Sequence, residues 1–155
     1  MLLLCQKLTR ISAVFLVILT SVYSASAMDI ELLKITSSDG HEHIFKVEVA
    51  RDPADLQKGL MFRETMDDDK GMLFEFSPPQ LVSMWMKNTP LSLDMVFIRK
   101  NGEIARIAKR TEPFSEQTIP SGSIVTGVLE IRGGRADELN IKAGDKIEHP
   151  FFLNK

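Results

Sequence analysis

The chain has 155 residues, 44% of them hydrophobic and 26% charged, and its formal net charge at pH 7 is −2. This length suits one domain with a single core. Its only cysteine is Cys5, so the rest of the chain has neither a disulfide nor a thiol nucleophile. No cluster of basic residues stands out that would bind a phosphate backbone, and we expect no nucleic-acid partner.

Residues 1–27 have the sequence pattern of a secretory signal peptide. Lys7 and Arg10 supply a positive start, an apolar run follows, and residues 25–27 are the small residues of a cleavage site. Cleavage leaves one domain, residues 28–155, with 19 − 2 = 17 basic and 21 acidic residues, a formal charge of −4. The alternative is an uncleaved anchor, but the two basic residues shorten the roughly 20 apolar residues that a spanning helix needs. We therefore expect an exported protein, periplasmic or secreted, with no membrane span after cleavage.

The first part of this domain reads as a hairpin followed by a short helix. Residues 30–35 and 44–49 are predicted strands, and the Asp-Gly turn at 39–40 joins them. Proline in the first helical position and an acid in the first turn predict a helix at Pro53–Lys58, which Gly59 would end.

The second part is also rich in strands. The predicted strands are residues 72–76, 81–86, 93–99, 103–108, 124–131 and 146–151. Asn101-Gly102 predicts a tight hairpin turn. Residues 111–123 are predicted to be a loop, and residues 136–139 a helical turn. Seven or eight strands with one or two short helices predict a mainly β fold (α+β with few short helices), either a compact small β-barrel or a two-sheet sandwich.

The segment around the single tryptophan is the strongest candidate for a binding site. On a strand, Trp85 and Lys87 would share one face, which places a flat ring beside a cation, and Asn88 follows in a turn. Such a combination is typical of pockets for polar ligands. Met84 and Met86 would share the other face, where they are core residues or, alternatively, soft ligands for Cu(I).

Several charged residues have two interpretations. Asp94 lies in an apolar strand and, if buried, needs a cation or a backbone amide as partner, with Lys87, Arg63 and Arg99 as candidate cations. Arg63 is free to fork across Asp94, Glu130 or the anion of a ligand. Asp94, Glu112 and Glu130 lie on different elements, and their convergence would give the paired carboxylates of a hydrolase.

Other reaction and metal-binding signatures are scarce. The chain has no nucleophile elbow and no Gly-rich phosphate loop. His41 and His43 form a His-x-His pair, and His149 lies near the C-terminus, but no spaced ligands accompany them. We expect no metal site and no cofactor, and these patterns identify no catalysed reaction.

Six blocks of sequence carry a family resemblance. They are KGLMFR at 58–63, GMLF at 71–74, MWMKNT at 84–89, LDMVF at 93–97, VLEI at 128–131 and IKAGD at 141–145. In this order they resemble the uncharacterised domain-of-unknown-function 192 family, from about Phe45 to the end of the chain. The resemblance implies a compact, mostly β, often exported unit without an established activity. The family's recurrent positions correspond here to Gly59, Met61, Arg63, Trp85, Lys87, Asn88, Asp94, Glu130, Gly144 and Asp145.

The residues favour an exported binding domain with a polar-aromatic pocket around Trp85 for a small polar ligand. The predicted ligand-binding residues are Arg63, Trp85, Lys87, Asn88, Asp94 and Glu130. The alternative is a structural protein of the envelope, in which these side chains support the fold and the partner is another envelope protein. Two further alternatives are a carboxylate-dependent hydrolase and a Cu(I)-handling protein.

Overall fold

A computed structural model describes residues 28–153, which form one seven-stranded sheet with short helices. The strands are β1 Ile30–Thr36, β2 Glu42–Ala50, β3 Lys70–Met84, β4 Leu93–Ile98, β5 Ile104–Ala108, β6 Ile119–Arg132 and β7 Lys146–Glu148. The helices are α1 Pro53–Lys58, α2 Arg135–Glu138 and α3 Pro150–Leu153. The predicted signal peptide lies outside the described residues.

The sheet has the strand order β5-β4-β6-β3-β2-β1-β7, and only the pairing of β2 with β3 is parallel. Its two outer strands meet at one end. The Ile104 N–H donates to the Asp145 carbonyl at 2.9 Å, and the Ile147 N–H donates to the Gly102 carbonyl at 2.8 Å. The sheet therefore curls into a half-barrel. The prediction of a mainly β fold is confirmed, and of the two predicted architectures the curled sheet is closer to the small barrel than to the two-sheet sandwich.

Two apolar clusters cover the two faces of this sheet, because side chains alternate along each strand. All seven strands contribute to the first cluster, for example through Leu33 and Ile147 at one edge of the sheet, so it fills the concave side. The second cluster is built mainly on β3, β4 and β6, and Leu56 of α1 packs against it. Every residue of β4 is buried, since this strand is covered on both faces.

Both predicted hairpins and the predicted helix Pro53–Lys58 are present, whereas three segments differ from the predictions. Residues 72–76 and 81–86 are not separate strands: most of both belongs to β3, whose register with β6 shifts between Glu75 and Gln80. Residues 119–123 are not loop but the start of β6. The last strand ends at Glu148, and Pro150 begins α3. Each of these segments contains proline. Pro78 and Pro79 lie in the bulge, Pro120 lies at the start of β6 opposite Ser83, and Pro150 lies in the first turn of α3.

Candidate functional site

Strand β6 carries an acidic side chain into the second apolar cluster. Glu130 lies opposite Met72 of β3 on one side and Met95 of β4 on the other. It is only 4% exposed. Burial raises the pKa of Glu130 from its ordinary value of 4.5 to about 8, and no donor or cation of residues 28–153 contributes to the shift. The carboxyl group therefore keeps its proton at neutral pH without a partner in the described part of the chain.

Glu130 borders a narrow cleft with a cavity volume of about 30 Å³. The cleft is lined by residues 56–61, Phe74, Met84, Trp85, Thr89 and Glu130. Its volume matches about two water molecules or one small polar group of a larger molecule. The cleft thus joins the single tryptophan and the buried acid in one continuous surface.

The end of helix α1 forms one wall of the cleft. Gly59 ends the helix with φ 48°, and its N–H donates to the Asp55 carbonyl at 2.8 Å. A Cβ atom on Gly59 would lie 2.9 Å from Cζ of Phe74. Glycine is therefore required both by the backbone angle and by the close approach of the helix end to β3.

Trp85 lies just beyond the end of β3, at the edge of the cleft, and is 43% exposed. The Lys87 ammonium is 5.3 Å from the centroid of its ring, a cation–π geometry. Because the strand ends at Met84, the expected alternation fails there, and Met84 and Trp85 both line the cleft. Met86 is fully buried, and its sulfur accepts a hydrogen bond from Thr111 at 3.1 Å.

Two exposed phenylalanines flank the segment that contains Trp85. The Phe62 N–H donates to the Asn88 carbonyl at 2.8 Å, and the Phe114 N–H donates to the Thr89 carbonyl at 3.1 Å. Phe62 and Phe114 are 71% and 63% exposed, and both have positive φ angles, 63° and 60°. A bulky residue in this conformation is strained by roughly 1–2 kcal/mol. Asn88 also has a positive φ, which asparagine tolerates better, and its side chain contacts the sulfur of Met61.

Arg63 is engaged outside the cleft. Its guanidinium makes a two-pronged contact with Glu48, at 2.5 and 2.9 Å. This carboxylate raises the pKa of Arg63 further above its usual value. Arg63 and Phe62 line a neighbouring hollow, which has Lys58, Gly59 and Met61 in common with the cleft. The partner of Arg63 is therefore neither Asp94 nor Glu130.

Asp94 is fully buried on the other face of the sheet. It lies opposite Ile131, a residue of the first cluster, whereas the next residue of β4 lies opposite Glu130. Its carboxylate accepts backbone hydrogen bonds from Arg110 at 2.7 Å, Gly134 at 3.0 Å and Ala136 at 2.8 Å. Asp94 thus anchors the start of α2 and cannot flank a bond together with Glu130.

The structure therefore gathers Trp85 and Glu130 in one cleft and places Asp94 and Arg63 elsewhere. Lys87 and Asn88 do not line the cleft but contact two residues that do, Trp85 and Met61. The predicted ligand-binding residues did not include Thr89 or the wall at residues 56–61, although Gly59 and Met61 were among the recurrent family positions. The apolar run that follows the predicted helix was the available signal for that wall.

Two kinds of feature are absent from residues 28–153, a cluster of metal ligands and a membrane-spanning helix. Among residues 28–153, no group of three or more His, Cys, Asp or Glu side chains is arranged to hold a metal ion. In the same part of the chain, no helix has the length and apolar character needed to cross a bilayer.

Comparisons with known proteins identify the family. The model of the DUF192 family, described as Uncharacterized ACR, matches residues 34–149. A crystal structure from Sinorhizobium meliloti 1021, named as a candidate transcription regulator, is 39% identical with a TM-score of 0.79, covering 81% of this chain and 97% of that one. A protein of unknown function from Novosphingobium aromaticivorans DSM 12444 is 38% identical with a TM-score of 0.77, covering 83% and 91%. No curated protein matches. The chain belongs to the DUF192 family.

Proposed function

We propose that this protein is a binding domain for a small polar ligand, which inserts one polar group beside Glu130 and packs an apolar face against Trp85. The observation that carries the proposal is the buried Glu130 carboxyl group, which borders the cleft without a hydrogen-bond partner among residues 28–153. A hydrogen bond inside such a narrow cleft contributes about 0.5–1.5 kcal/mol. A ligand that pairs with the Glu130 carboxyl group gains this energy.

The cleft defines the chemistry of the ligand. A neutral carboxyl group both donates and accepts hydrogen bonds, which suits a hydroxyl group better than an anion. The cavity of about 30 Å³ admits only one such group, so the rest of the ligand lies outside, beside the exposed ring of Trp85. Apolar faces of sugars and related polyols pack well on such rings. A carbohydrate-like molecule combines both features.

We further propose that binding takes place outside the cytoplasm. The support is the pattern of residues 1–27, with two basic residues, an apolar run and small residues at 25–27. Mass spectrometry of the protein purified from its native host tests this location. A mature chain that starts at Met28 is the expected result, and a full-length chain in the cytoplasmic fraction contradicts it.

Fluorescence of Trp85 provides the test of ligand binding, because it is the only tryptophan in the chain. Titration with glucose, galactose, maltose and N-acetylglucosamine should produce a saturable change of its emission for at least one sugar. Glu130→Gln should weaken that binding by about tenfold, since the amide alters the donor and acceptor pattern at the site.

Glu112→Gln is the matched control, because Glu112 is exposed and does not line the cleft. It should bind the sugar as the parent does. The proposal is refuted if no member of the panel changes the emission, or if Glu130→Gln and Glu112→Gln bind equally well.

The exposed aromatics favour a second candidate, a surface that binds another envelope protein. Phe62 and Phe114 expose most of their side chains on either side of the Trp85 segment, and aromatic residues are enriched at the centres of interfaces. In this case Phe62→Ser and Phe114→Ser would abolish cross-linking to the partner in cell-envelope extracts, while Glu130→Gln would not. The reverse pattern favours the small ligand.

The name of the Sinorhizobium meliloti structure does not extend to a proposal of DNA binding for this chain. Arginines of the present chain are paired with carboxylates of the same chain: Arg51 contacts Glu31 and Glu75, and Arg132 contacts Asp68 and Glu138. A phosphate backbone requires unpaired cations on one face.

A further inference from the structure

A second cavity lies where β3 bulges away from β6. Glu75 is paired with Gly127 and Gln80 with Val125, so the four residues 76–79 of β3 face the single residue Thr126 of β6. Extra residues in one strand bend it out of the ladder, and such bulges are enriched beside functional sites. Here the bulge borders a cavity of about 260 Å³.

Apolar side chains form most of the wall of this cavity. Phe76, Pro78 and Pro79 come from the bulge, and Phe151 comes from α3. Phe151 is half-buried and packs against the first cluster, in which the next residue, Phe152, is buried. The Phe152 ring lies against Gly127, where a Cβ atom would be 2.8 Å from its Cζ.

Three polar residues complete the cavity, namely Ser77 of the bulge, Thr126 and Lys100. Thr126 is 5% exposed, and its hydroxyl is buried with no hydrogen-bond partner among the described residues. It lies opposite the bulge, where the ladder offers it no neighbour. Lys100, in the exposed turn between β4 and β5, adds a cation to the lining. The cavity therefore combines apolar walls with one positive charge and one unused hydroxyl.

We propose that this cavity binds a small organic carboxylate with an aromatic or branched aliphatic body. The rings and prolines accept the apolar body, and the Lys100 ammonium attracts the carboxylate. The Thr126 hydroxyl supplies a hydrogen bond. An inorganic anion would leave the apolar walls unfilled, and a neutral apolar molecule would leave the charge and the hydroxyl unused. The site shares no lining residue with the Glu130 cleft, so it is independent of the proposed function.

Titration of the ¹⁵N-labelled protein with benzoate, followed by NMR, tests the proposal. The amide signals of Thr126, Phe151 and Lys100 should shift in a saturable manner. Benzamide has the same shape without the charge and should bind roughly fivefold more weakly. Trp85 emission should not change, so failure here and failure of the sugar titration are separate results.

Variants identify the contributing groups. Lys100→Gln should weaken benzoate binding roughly fivefold and bring it level with benzamide. Thr126→Val keeps the volume of the side chain, removes the hydroxyl and should also weaken binding. Lys142→Gln is the control, because Lys142 is exposed and outside the cavity. The proposal is overturned by the absence of saturable shifts, by shifts at the Glu130 cleft instead, by equal binding of benzamide, or by an equal effect of Lys142→Gln.

Discussion

Asp94 and Glu130 are two buried carboxyl groups on neighbouring strands, and their surroundings are opposite. Asp94 accepts three backbone hydrogen bonds, whereas the Glu130 carboxyl group has no hydrogen-bond partner among residues 28–153 and borders a cleft. Their side chains lie on opposite faces of the sheet, because Asp94 is paired with Ile131, whereas Glu130 is paired with Met95, the next residue of β4. A carboxylate with all its partners supplied by the chain supports the fold, and one without partners is available for a ligand.

The largest expected effect comes from removal of the Asp94 carboxylate. Asp94→Ala leaves the amides of Arg110, Gly134 and Ala136 buried without acceptors, each at a cost of about 1–3 kcal/mol. We expect the free energy of unfolding to fall by about 5 kcal/mol in urea denaturation. Asp94→Asn retains one acceptor oxygen and should lose clearly less. A loss below about 1 kcal/mol for Asp94→Ala would show that the Asp94 carboxylate does not support the fold, which is the property that distinguishes it from Glu130.

The pH dependence of stability isolates Glu130. Its folded pKa of about 8 is above the ordinary 4.5, so between these values the folded state holds a proton that the unfolded chain has released. This contribution is fully present below pH 4.5 and is lost as the pH rises through 8. The parent should lose about 3 kcal/mol relative to Glu130→Gln between pH 5 and pH 8.

Acidic groups with lowered pKa values, such as Glu31 and Asp137, change stability at lower pH in both proteins, so they cancel in this difference. Parallel pH profiles of the parent and Glu130→Gln would show that the Glu130 carboxyl is well solvated.

A smaller effect is expected at Arg63. Its contact with Glu48 is two-pronged but about one-third exposed on the arginine side, and such pairs contribute about 0.5–1 kcal/mol. Arg63→Met and Glu48→Gln, measured singly and together by chemical denaturation, should give a coupling energy of this size. Sugar binding should stay within about twofold of the parent. A tenfold loss of binding would assign Arg63 to the ligand after all.

The smallest effect is expected at Lys87. Its ammonium lies over the Trp85 ring near the surface, where a cation–π contact contributes about 0.5–1 kcal/mol. Lys87→Met should change the free energy of unfolding by no more than this and should shift the emission maximum of Trp85. An unchanged spectrum would show that the cation does not contact the ring in solution.

The sequence predicted the fold better than the arrangement of the site. Local signals sufficed for the two hairpins and for helix Pro53–Lys58, because turn glycines, Asn101 and Pro53 act within a few residues. The long strand β3 was divided in error, since a bulge is maintained by the partner strand and not by the residues inside it.

The site required long-range information. Asp94, Glu130 and Trp85 were selected as unusual residues, yet no local signal assigns the first two to opposite faces. That assignment depends on the register of β4 with β6, in which Asp94 is paired with a residue 131 − 94 = 37 positions further along the chain. Thr126 was overlooked for the same reason, because its isolation follows from the bulge in β3.

The contact between β5 and β7 has a consequence for the behaviour of the molecule in solution. Unpaired strand edges recruit other chains and start aggregation. Here backbone hydrogen bonds join the two outer strands at a seam between β5 and β7. The residues that make these bonds are Gly102, Ile104, Asp145 and Ile147. A second copy would have to open this seam before adding a strand there.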